Sequence, residues 1–185
     1  QSSVFGKYPM IIAEPNLMAF IADNFRLMAM GKISAHELEG FLEQELEAME
    51  EALLLPSRSL NQVAEAMPGF GILAAIMGII ITMGNIGGSV AEVGAHVAAA
   101  LVGTFLGIFF CYCVMQPLAN AMTQRIRTEI SALECVRTTL VAHVAGKPTL
   151  LSVDAGRKLI EQDVKPAFSQ LEAWVNRYEE ERDAA

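Results

Sequence analysis

Two long runs without charged side chains dominate the pattern of polar and apolar positions along the chain. Residues 68–91 and residues 93–124 contain no Asp, Glu, Lys or Arg. A helix needs about 20 apolar residues to cross the hydrocarbon core of a bilayer, so each run is long enough for one crossing. The glycine-rich residues 84–88 between them are typical of a turn. The pattern therefore predicts a membrane hairpin of two helices.

Apolar residues also recur at helical spacing in the part of the chain before the hairpin. Residues 1–15 hold one glycine and two prolines and predict an irregular segment. A helix is then expected from Asn16 to a stop at Gly31. Ser34 and Glu37 have the spacing of a capping box, which predicts that the next helix begins there.

Proline positions set the expected limits of the helices around the hairpin. The helix that begins after Ser34 is expected to break at Pro56, because proline lacks the N–H that a helix interior requires. Ser57 or Ser59 would then begin the helix that contains the first apolar run. The helix of the second run is expected from about Ala95 to Pro117 or beyond.

Helical spacing continues after the second apolar run, so its helix is expected to extend to a stop at Gly146 and Pro148. Two shorter helices follow, one over about residues 152–162 and one from Pro166 to the end. No stretch alternates with period two for long enough to form a strand. The predicted fold class is therefore all-α, a membrane helical hairpin with long helices on both flanks.

Three segments follow from this pattern. Residues 1–62 are predicted to be a water-facing helical segment, residues 63–119 the hairpin with a short turn near 84–94, and residues 120–185 a second water-facing helical segment. Basic residues occur before and after the hairpin, whereas the region of the turn carries only Glu92 and His96. Because Lys and Arg are enriched in cytoplasmic loops, both flanks are expected in the cytoplasm and the turn outside.

Composition narrows the classes of function. The chain of 185 residues is 53% hydrophobic yet has a formal net charge of -8 at pH 7, a combination that suits a membrane hairpin with acidic flanks. The acidic balance argues against nucleic acid as a partner. Cys111, Cys113 and Cys135 are interpreted as small buried hydrophobic residues rather than as disulfide or metal ligands. No catalytic motif is present, so neither enzyme activity nor a cofactor is expected.

Polar side chains in the interior of the two runs, away from their ends, are few, and none is a carboxylate, Lys or Arg: they are Thr82, Thr104, Tyr112 and Gln116. Ionisable side chains inside a membrane are costly and usually functional. Since the interior of the runs has no carboxylate, Lys or Arg, the titrating carboxylate of any ion pathway must come from a partner. Thr104 can offer an oxygen to an ion, or it can bond to its own helix four residues back.

Small residues and prolines mark two further features of the hairpin. Residues that let membrane helices approach closely recur four apart, at Gly71/Ala75, Ala74/Gly78 and Gly103/Gly107. The last pair is a GxxxG motif, which serves packing within the hairpin or contact with another helix. Pro68 and Pro117 lie near the two ends of the hairpin that are expected at the cytoplasmic side, where each marks a hinge or an ordinary helix boundary.

Three stretches resemble a known family. They are AMPGFGILAAIMGII, AALVGTFLGIFFCYCVMQPLA and GRKLIEQDVKPAFSQLE, and they are similar to the A subunit of proton-type flagellar motor stators, the MotA/PomA family. The helix HELEGFLEQELEAMEE fits the region before that family's third membrane helix. The resemblance covers nearly the whole chain and implies that the hairpin is the third and fourth of four membrane helices in a bacterial inner-membrane protein.

The resemblance also implies partners and an activity. A pentamer of A subunits would surround two MotB-type subunits, whose intramembrane Asp carries the proton, and the complex would turn the rotor protein FliG for motility and chemotaxis. Two alternatives are an ExbB/TolQ-like energy transducer, which couples to a periplasm-spanning partner, and a passive helical membrane scaffold.

Individual positions acquire roles through the same resemblance. Pro68 and Pro117 match the two family prolines tied to torque, Thr104 matches the threonine of the fourth helix, and Tyr112 matches an aromatic residue near the channel.

Two more positions bear on the rotor and on the ion. Glu45 matches an acidic position of the rotor-facing helix. Ala75 stands where sodium-type relatives carry Thr, and a methyl group cannot help to hold a dehydrated cation, so the translocated ion is expected to be the proton.

Overall fold

The computed structural model describes residues 9–31, 33–84, 87 and 89–183, and these residues form helices and turns without a strand. In chain order the elements are α1 (Pro9–Ile12), α2 (Pro15–Ala29), α3 (Ala35–Gly84), α4 (Val90–Phe109), a π-helical segment (Phe110–Met115), α5 (Gln116–Val144), α6 (Thr149–Arg157) and α7 (Phe168–Asp183). The predicted all-α class is confirmed.

Several helix ends follow the local sequence signals. Ser34 and Glu37 form the predicted capping box, in which the Glu37 N–H donates to Ser34 Oγ at 3.2 Å and the Ser34 N–H donates to Glu37 Oε2 at 3.0 Å. Gly31 and Gly146 adopt positive φ angles of 69° and 79° just after α2 and α5. Glycine takes this conformation without steric cost, so both predicted stops are confirmed.

The predicted break at Pro56 is wrong, because α3 continues through both Pro56 and Pro68. A proline inside a helix removes one backbone hydrogen bond and costs about 3 kcal/mol. Pro56 is exposed, and so is Ala52, whose carbonyl lacks its usual N–H partner. Ser57, expected to begin a new helix, is instead buried against α5, and that contact supports the helix beyond the proline.

The helix of the second apolar run begins earlier than the expected Ala95. Its first residue is Val90, because Ser89 and Glu92 form a second capping box that the sequence interpretation missed. The helix then runs through the π-helical segment and past Pro117 to Val144 without a break. This confirms the expectation that it extends beyond Pro117.

Smaller differences occur near the ends of the chain. The predicted irregular segment contains the short helix α1, and residues 1–8 lie outside the described residues, as do Asn85, Ile86 and Gly88 of the glycine-rich turn. The helix expected near 152–162 lies at Thr149–Arg157, because Ser152 is not its cap but a buried helix residue that bonds to the Pro148 carbonyl.

The chain divides into two compact units. One consists of Gln1–Glu50 with Arg127–Ala185, and the other of Glu51–Ile126. The first has a core of large apolar side chains, namely Phe20, Ile21, Leu38, Leu42, Leu46, Ile130, Leu133, Leu140, Leu171 and Val175. The second contains the hairpin. The predicted segment boundaries at 62/63 and 119/120 concern the limits of the membrane and stay predictions.

Candidate functional site

The hairpin has small residues inside and large apolar residues outside. Its buried side chains are Ser57, Ala64, Thr82, Ala100, Cys111 and Ala119. Its exposed side chains include Phe70, Ile72, Leu73, Ile76, Ile80, Ile81, Leu101, Phe105 and Ile108. A water-facing surface is not built this way, whereas lipid or partner helices would cover it. Within the described residues, the two helices α3 and α4–α5 are long and apolar enough to cross a membrane.

The two arms of the hairpin meet along a seam of small residues, which we call the glycine seam and define as Gly71, Gly78, Ala100, Gly103 and Gly107. A Cβ atom at Gly71 would lie 2.9 Å from the carbonyl oxygen of Gly103, and one at Gly78 would lie 2.7 Å from the Cβ of Ala100. The predicted GxxxG motif therefore serves packing within the hairpin.

Thr104 lies on this seam and bonds across it. Its hydroxyl donates to the carbonyl oxygen of Gly71 at 3.3 Å, so the alternative of a bond within its own helix is wrong. Gly71 can take part because its missing side chain brings the two backbones together. Thr104 is thus the polar side chain that the structure places between the two arms.

A second polar contact joins the arms near Pro56, and sequence reasoning missed it. The Ser57 hydroxyl donates to the carbonyl oxygen of Ala119 at 3.0 Å, and Thr123 Oγ1 donates to the same oxygen at 3.0 Å. Ser57 and Ala119 are 4% and 2% exposed. The sequence does contain a signal for this contact. Small residues recur every seven positions at Ser57, Ala64, Gly71 and Gly78, so they share one face of the helix. A search for small residues four apart does not find Ser57.

The π-helical segment lies immediately before Pro117. Gln116 donates its N–H to the carbonyl oxygen of Cys111, five residues back, instead of four. Pro117 then has no N–H to give to Cys113, which removes the next α-type bond. Cys111 is buried as expected, but Cys113 is exposed, so its predicted burial is wrong. Residues two apart on a helix are separated by about 200° around its axis, so the two thiols lie on different sides.

Of the other predicted hairpin residues, Pro68 and Ala75 lie three residues before and four residues after Gly71, on the face of α3 to which Thr104 bonds. Pro68 and Ala75 are half-buried in α3, and Pro117 is exposed at the second position of α5. Tyr112 is 58% exposed. An exposed aromatic side chain on a hairpin that lipid or partners must cover is available to a partner helix.

Glu45 belongs to the first unit, on α3. It is exposed and lies beside Leu42 and Leu46, which are buried in the core of that unit. Other carboxylates of this part of α3 are also exposed, although none is three or four residues from Glu45, at Glu37, Glu39, Glu43, Glu47 and Glu51. This part of α3 therefore presents an acidic surface, and its buried leucines hold that surface in place.

Asp154, Arg157 and Lys158 form an ion-pair cluster in the first unit. The sequence analysis did not predict this cluster, although its members are only three and four residues apart. Asp154 pairs with Arg157 at 2.7 Å and with Lys158 at 3.3 Å, and it is 7% exposed. Hydrogen bonding to Arg157 is the main cause that lowers the pKa of Asp154 from the usual 3.8. Arg157 also donates to the carbonyl oxygen of Pro166 at 3.0 Å and stacks on Phe168, so the cluster anchors the start of α7.

Within the part of the chain that the structure describes, His, Cys, Asp and Glu side chains do not gather into a group that could hold a metal ion. The polar contacts described above between the two arms of the hairpin join hydroxyls to backbone carbonyls. These can donate and accept hydrogen bonds, but they do not release protons near neutral pH.

Known proteins resemble the chain over most of its length. It is 63% identical over 175 residues to the chemotaxis protein LafT of Vibrio parahaemolyticus. That alignment covers 95% of this chain and 61% of LafT. It is 35% identical over 175 residues to motility protein A of Escherichia coli. That alignment covers 95% of this chain and 59% of the relative. The chain thus spans less than two thirds of the length of these relatives.

A solved structure shares the fold, and a family model matches the sequence. The flagellar MotAB stator complex from Bacillus subtilis matches with a TM-score of 0.64 and 24% identity, over 83% of this chain and 57% of that one. The model of the MotA/TolQ/ExbB proton channel family matches residues 14–135, which include the hairpin and the acidic part of α3. The chain belongs to the MotA/TolQ/ExbB proton channel family.

Proposed function

We propose that the chain is part of a flagellar motor stator subunit that forms a proton channel together with a MotB-type partner and couples proton flow to rotation. The observation that carries the proposal is a tightly packed apolar hairpin without a carboxylate, Lys or Arg in its two runs, in a chain of a proton channel family. A proton pathway needs a group that titrates, so the partner must supply an intramembrane Asp.

The relatives favour motility over other roles in the family. Relatives that align over 95% of this chain include a chemotaxis protein and a motility protein. An ExbB/TolQ-like energy transducer would share the hairpin but would not need the acidic surface around Glu45. A passive scaffold would need neither a partner carboxylate nor that surface.

Residues of the hairpin take distinct roles in this proposal. Thr104 bonds to Gly71 across the glycine seam, and we propose that its hydroxyl oxygen faces the proton path. Tyr112 lies on the exposed side and is available to the partner helix. Ala75 presents a methyl group and so disfavours sodium.

The prolines are proposed to let the hairpin bend. Pro68 lies within α3, and Pro117 follows the π-helical segment. Each lacks a backbone N–H, so a change of angle breaks no hydrogen bond at that position.

The proposed assembly is a pentamer of A subunits around two B subunits in the bacterial inner membrane, with both flanks of the hairpin in the cytoplasm. Lipid and neighbouring helices would cover the exposed apolar side chains of the hairpin. The acidic surface around Glu45 would face FliG. The role is transport and mechanical coupling, without catalysis and without a cofactor.

Proton flux measurements test the proposal. The protein that carries this chain would be reconstituted in liposomes alone, with its B-type partner, and with a partner whose intramembrane Asp is changed to Asn. We expect a proton leak above background only with the unaltered partner, and swimming only when that pair is supplied to a strain without its own stator. Conduction by the A subunit alone, or rescue of an energy-transduction defect instead of swimming, would contradict the proposal.

A further inference from the structure

Two side-chain hydrogen bonds across the hairpin lie on either side of its irregular backbone. Thr104 donates to the carbonyl oxygen of Gly71 at 3.3 Å, and Ser57 donates to the carbonyl oxygen of Ala119 at 3.0 Å. Because a helix rises about 1.5 Å per residue, the two bonds are roughly 20 Å apart along the hairpin. We call each of these two cross-helix hydrogen bonds a tie. The stretch of each arm between the ties is therefore held to the other arm at both ends.

The backbone between these two bonds is the part of the hairpin that bends most easily. Pro68 lies there on one arm, and the π-helical segment and Pro117 lie there on the other. Prolines and π-helical turns are common sites of helix kinks because backbone hydrogen bonds are missing or displaced. A change of angle at these sites can move only the stretch between the two ties unless one of them opens.

The tie at Ser57 is well protected. Ser57 and Thr123 direct their hydroxyls to the same oxygen of Ala119, and the two hydroxyls are also within hydrogen-bond distance of each other. Both Ser57 and Ala119 are buried, and a buried hydroxyl that loses its acceptor pays a desolvation penalty. The bond is therefore favoured to persist while the prolines bend.

We propose that Ser57 is a positioning residue that holds α5 against α3 at Ala119 and confines bending at Pro68 and Pro117 to the stretch between the two bonds. Without the Ser57 bond, bending at the prolines would move the two helices apart instead of moving the stretch between the two bonds. The consequence for rotation rests on the proposed stator function, whereas the tie itself does not.

Hydrogen exchange of the complete subunit with its partner in lipid nanodiscs tests the tie. Ser57→Ala removes the cross-helix donor, so amides of residues 110–124 should exchange about fivefold faster, the effect of one lost hydrogen bond. Thr82→Val is the matched control, because Thr82 is also buried in α3 but donates to Gly78 of its own helix at 2.8 Å. Thr123→Val keeps the Ser57 bond and should change exchange less than Ser57→Ala.

The same variants are then compared in rotating motors. We expect motors with Ser57→Ala to lose speed under load at an unchanged number of assembled stators, while motors with Thr82→Val rotate normally.

Three exchange results would overturn the tie. They are an unchanged rate of hydrogen exchange in Ser57→Ala, an equal increase of that rate in Thr82→Val, or an equal or larger increase in Thr123→Val. Faster exchange with normal rotation overturns the positioning role. A wild-type complex that drives no rotation contradicts the stator function instead, and the exchange comparison still decides the tie.

Discussion

Gly107 packs so closely against the backbone of Met67 that a Cβ atom at Gly107 would lie 2.6 Å from the Met67 carbonyl oxygen. Real Cβ atoms do not approach a carbonyl oxygen this closely. The two arms of the hairpin would have to separate to admit even one methyl group. This contact belongs to backbone atoms on both sides, so no change of side-chain rotamer can relieve it.

We therefore expect Gly107→Ala to destabilise the hairpin by about 1–3 kcal/mol, the usual effect of overpacking. The control is Gly94→Ala in the same helix, where an added Cβ meets no atom within 4 Å. That control should be neutral or slightly stabilising, because Ala is favoured over Gly in a helix by up to about 1 kcal/mol. Thermal unfolding of the detergent-solubilised protein measures both variants. Equal melting temperatures for Gly107→Ala and the wild type would contradict the close contact.

The difference between local and long-range structure explains which features the sequence predicted. The capping box at Ser34 and the stops at Gly31 and Gly146 depend on a few neighbouring residues, and the structure confirms them. Pro56 was misjudged because its penalty is local, whereas contacts that lie far away in sequence outweigh it.

The same difference applies to the candidate site. The Thr104–Gly71 and Ser57–Ala119 bonds depend on the register between two helices, which the spacing within either helix does not set. The Asp154–Arg157 pair is different, because residues three apart on a helix are neighbours and the pair was open to prediction.

Pro68→Leu should reduce rotation without preventing assembly. The substitution supplies the missing N–H to α3 and stiffens the helix where the proposal requires it to bend. Pro56→Leu is the matched control, since Pro56 is also inside α3 but is exposed and lies outside the stretch between the two cross-helix bonds. Swimming speed and the amount of protein in the membrane are measured together. Loss of Pro68→Leu protein from the membrane would show that the proline acts in folding.

Asp154 should make the first unit sensitive to acid. Its folded pKa is lowered from 3.8, mainly by hydrogen bonding to Arg157, so its stabilisation is complete above the unfolded pKa and is lost as pH falls through the folded value. Asp154→Asn should therefore lower the melting temperature near neutral pH, and the difference from wild type should shrink as the pH falls below the usual carboxyl pKa of 3.8. Fluorescence of Trp174 in α7 reports unfolding near the cluster.

The exposed Asp163 provides the control for this titration. Asp163→Asn removes the same charge outside the cluster and should leave the melting temperature nearly unchanged across the same range. A constant difference between Asp154→Asn and the wild type down to the lowest pH would show that the carboxylate does not stabilise this unit through its charge.

Ala75 should fix the choice of ion. We expect swimming driven by the complex to collapse with a protonophore and to ignore external sodium, because a methyl group offers no oxygen to a dehydrated cation. Ala75→Thr adds a hydroxyl to a half-buried position and tests whether that group alone admits sodium. Ala75→Val is the control of similar size without the oxygen. Sodium-dependent speed in the wild type, or block by a drug of the amiloride class, would contradict the argument.

Glu45 should act through its charge at the rotor surface. It is exposed beside the buried Leu42 and Leu46, and the same part of α3 carries further exposed carboxylates. An exposed ion pair contributes only about 0–1 kcal/mol, so Glu45→Gln should have a mild effect. The proposed function requires a basic rotor surface opposite this acidic helix, so Glu45→Lys would bring like charges together and should strongly reduce recruitment of stators to the motor.

Three comparisons separate this role from a general effect of charge. Glu43→Lys makes the same charge change on the same helix, about 200° around its axis from Glu45, and should impair recruitment less. Salt should reduce the defect of Glu45→Lys, because the Debye length is about 8 Å at physiological ionic strength. A compensating acidic substitution on the rotor should restore recruitment, counted as fluorescent stator units per motor. If Glu45→Lys swims normally, or if no charge reversal on the rotor rescues it, then Glu45 does not contact the rotor. It would then be one of the carboxylates that are simply exposed to water on α3.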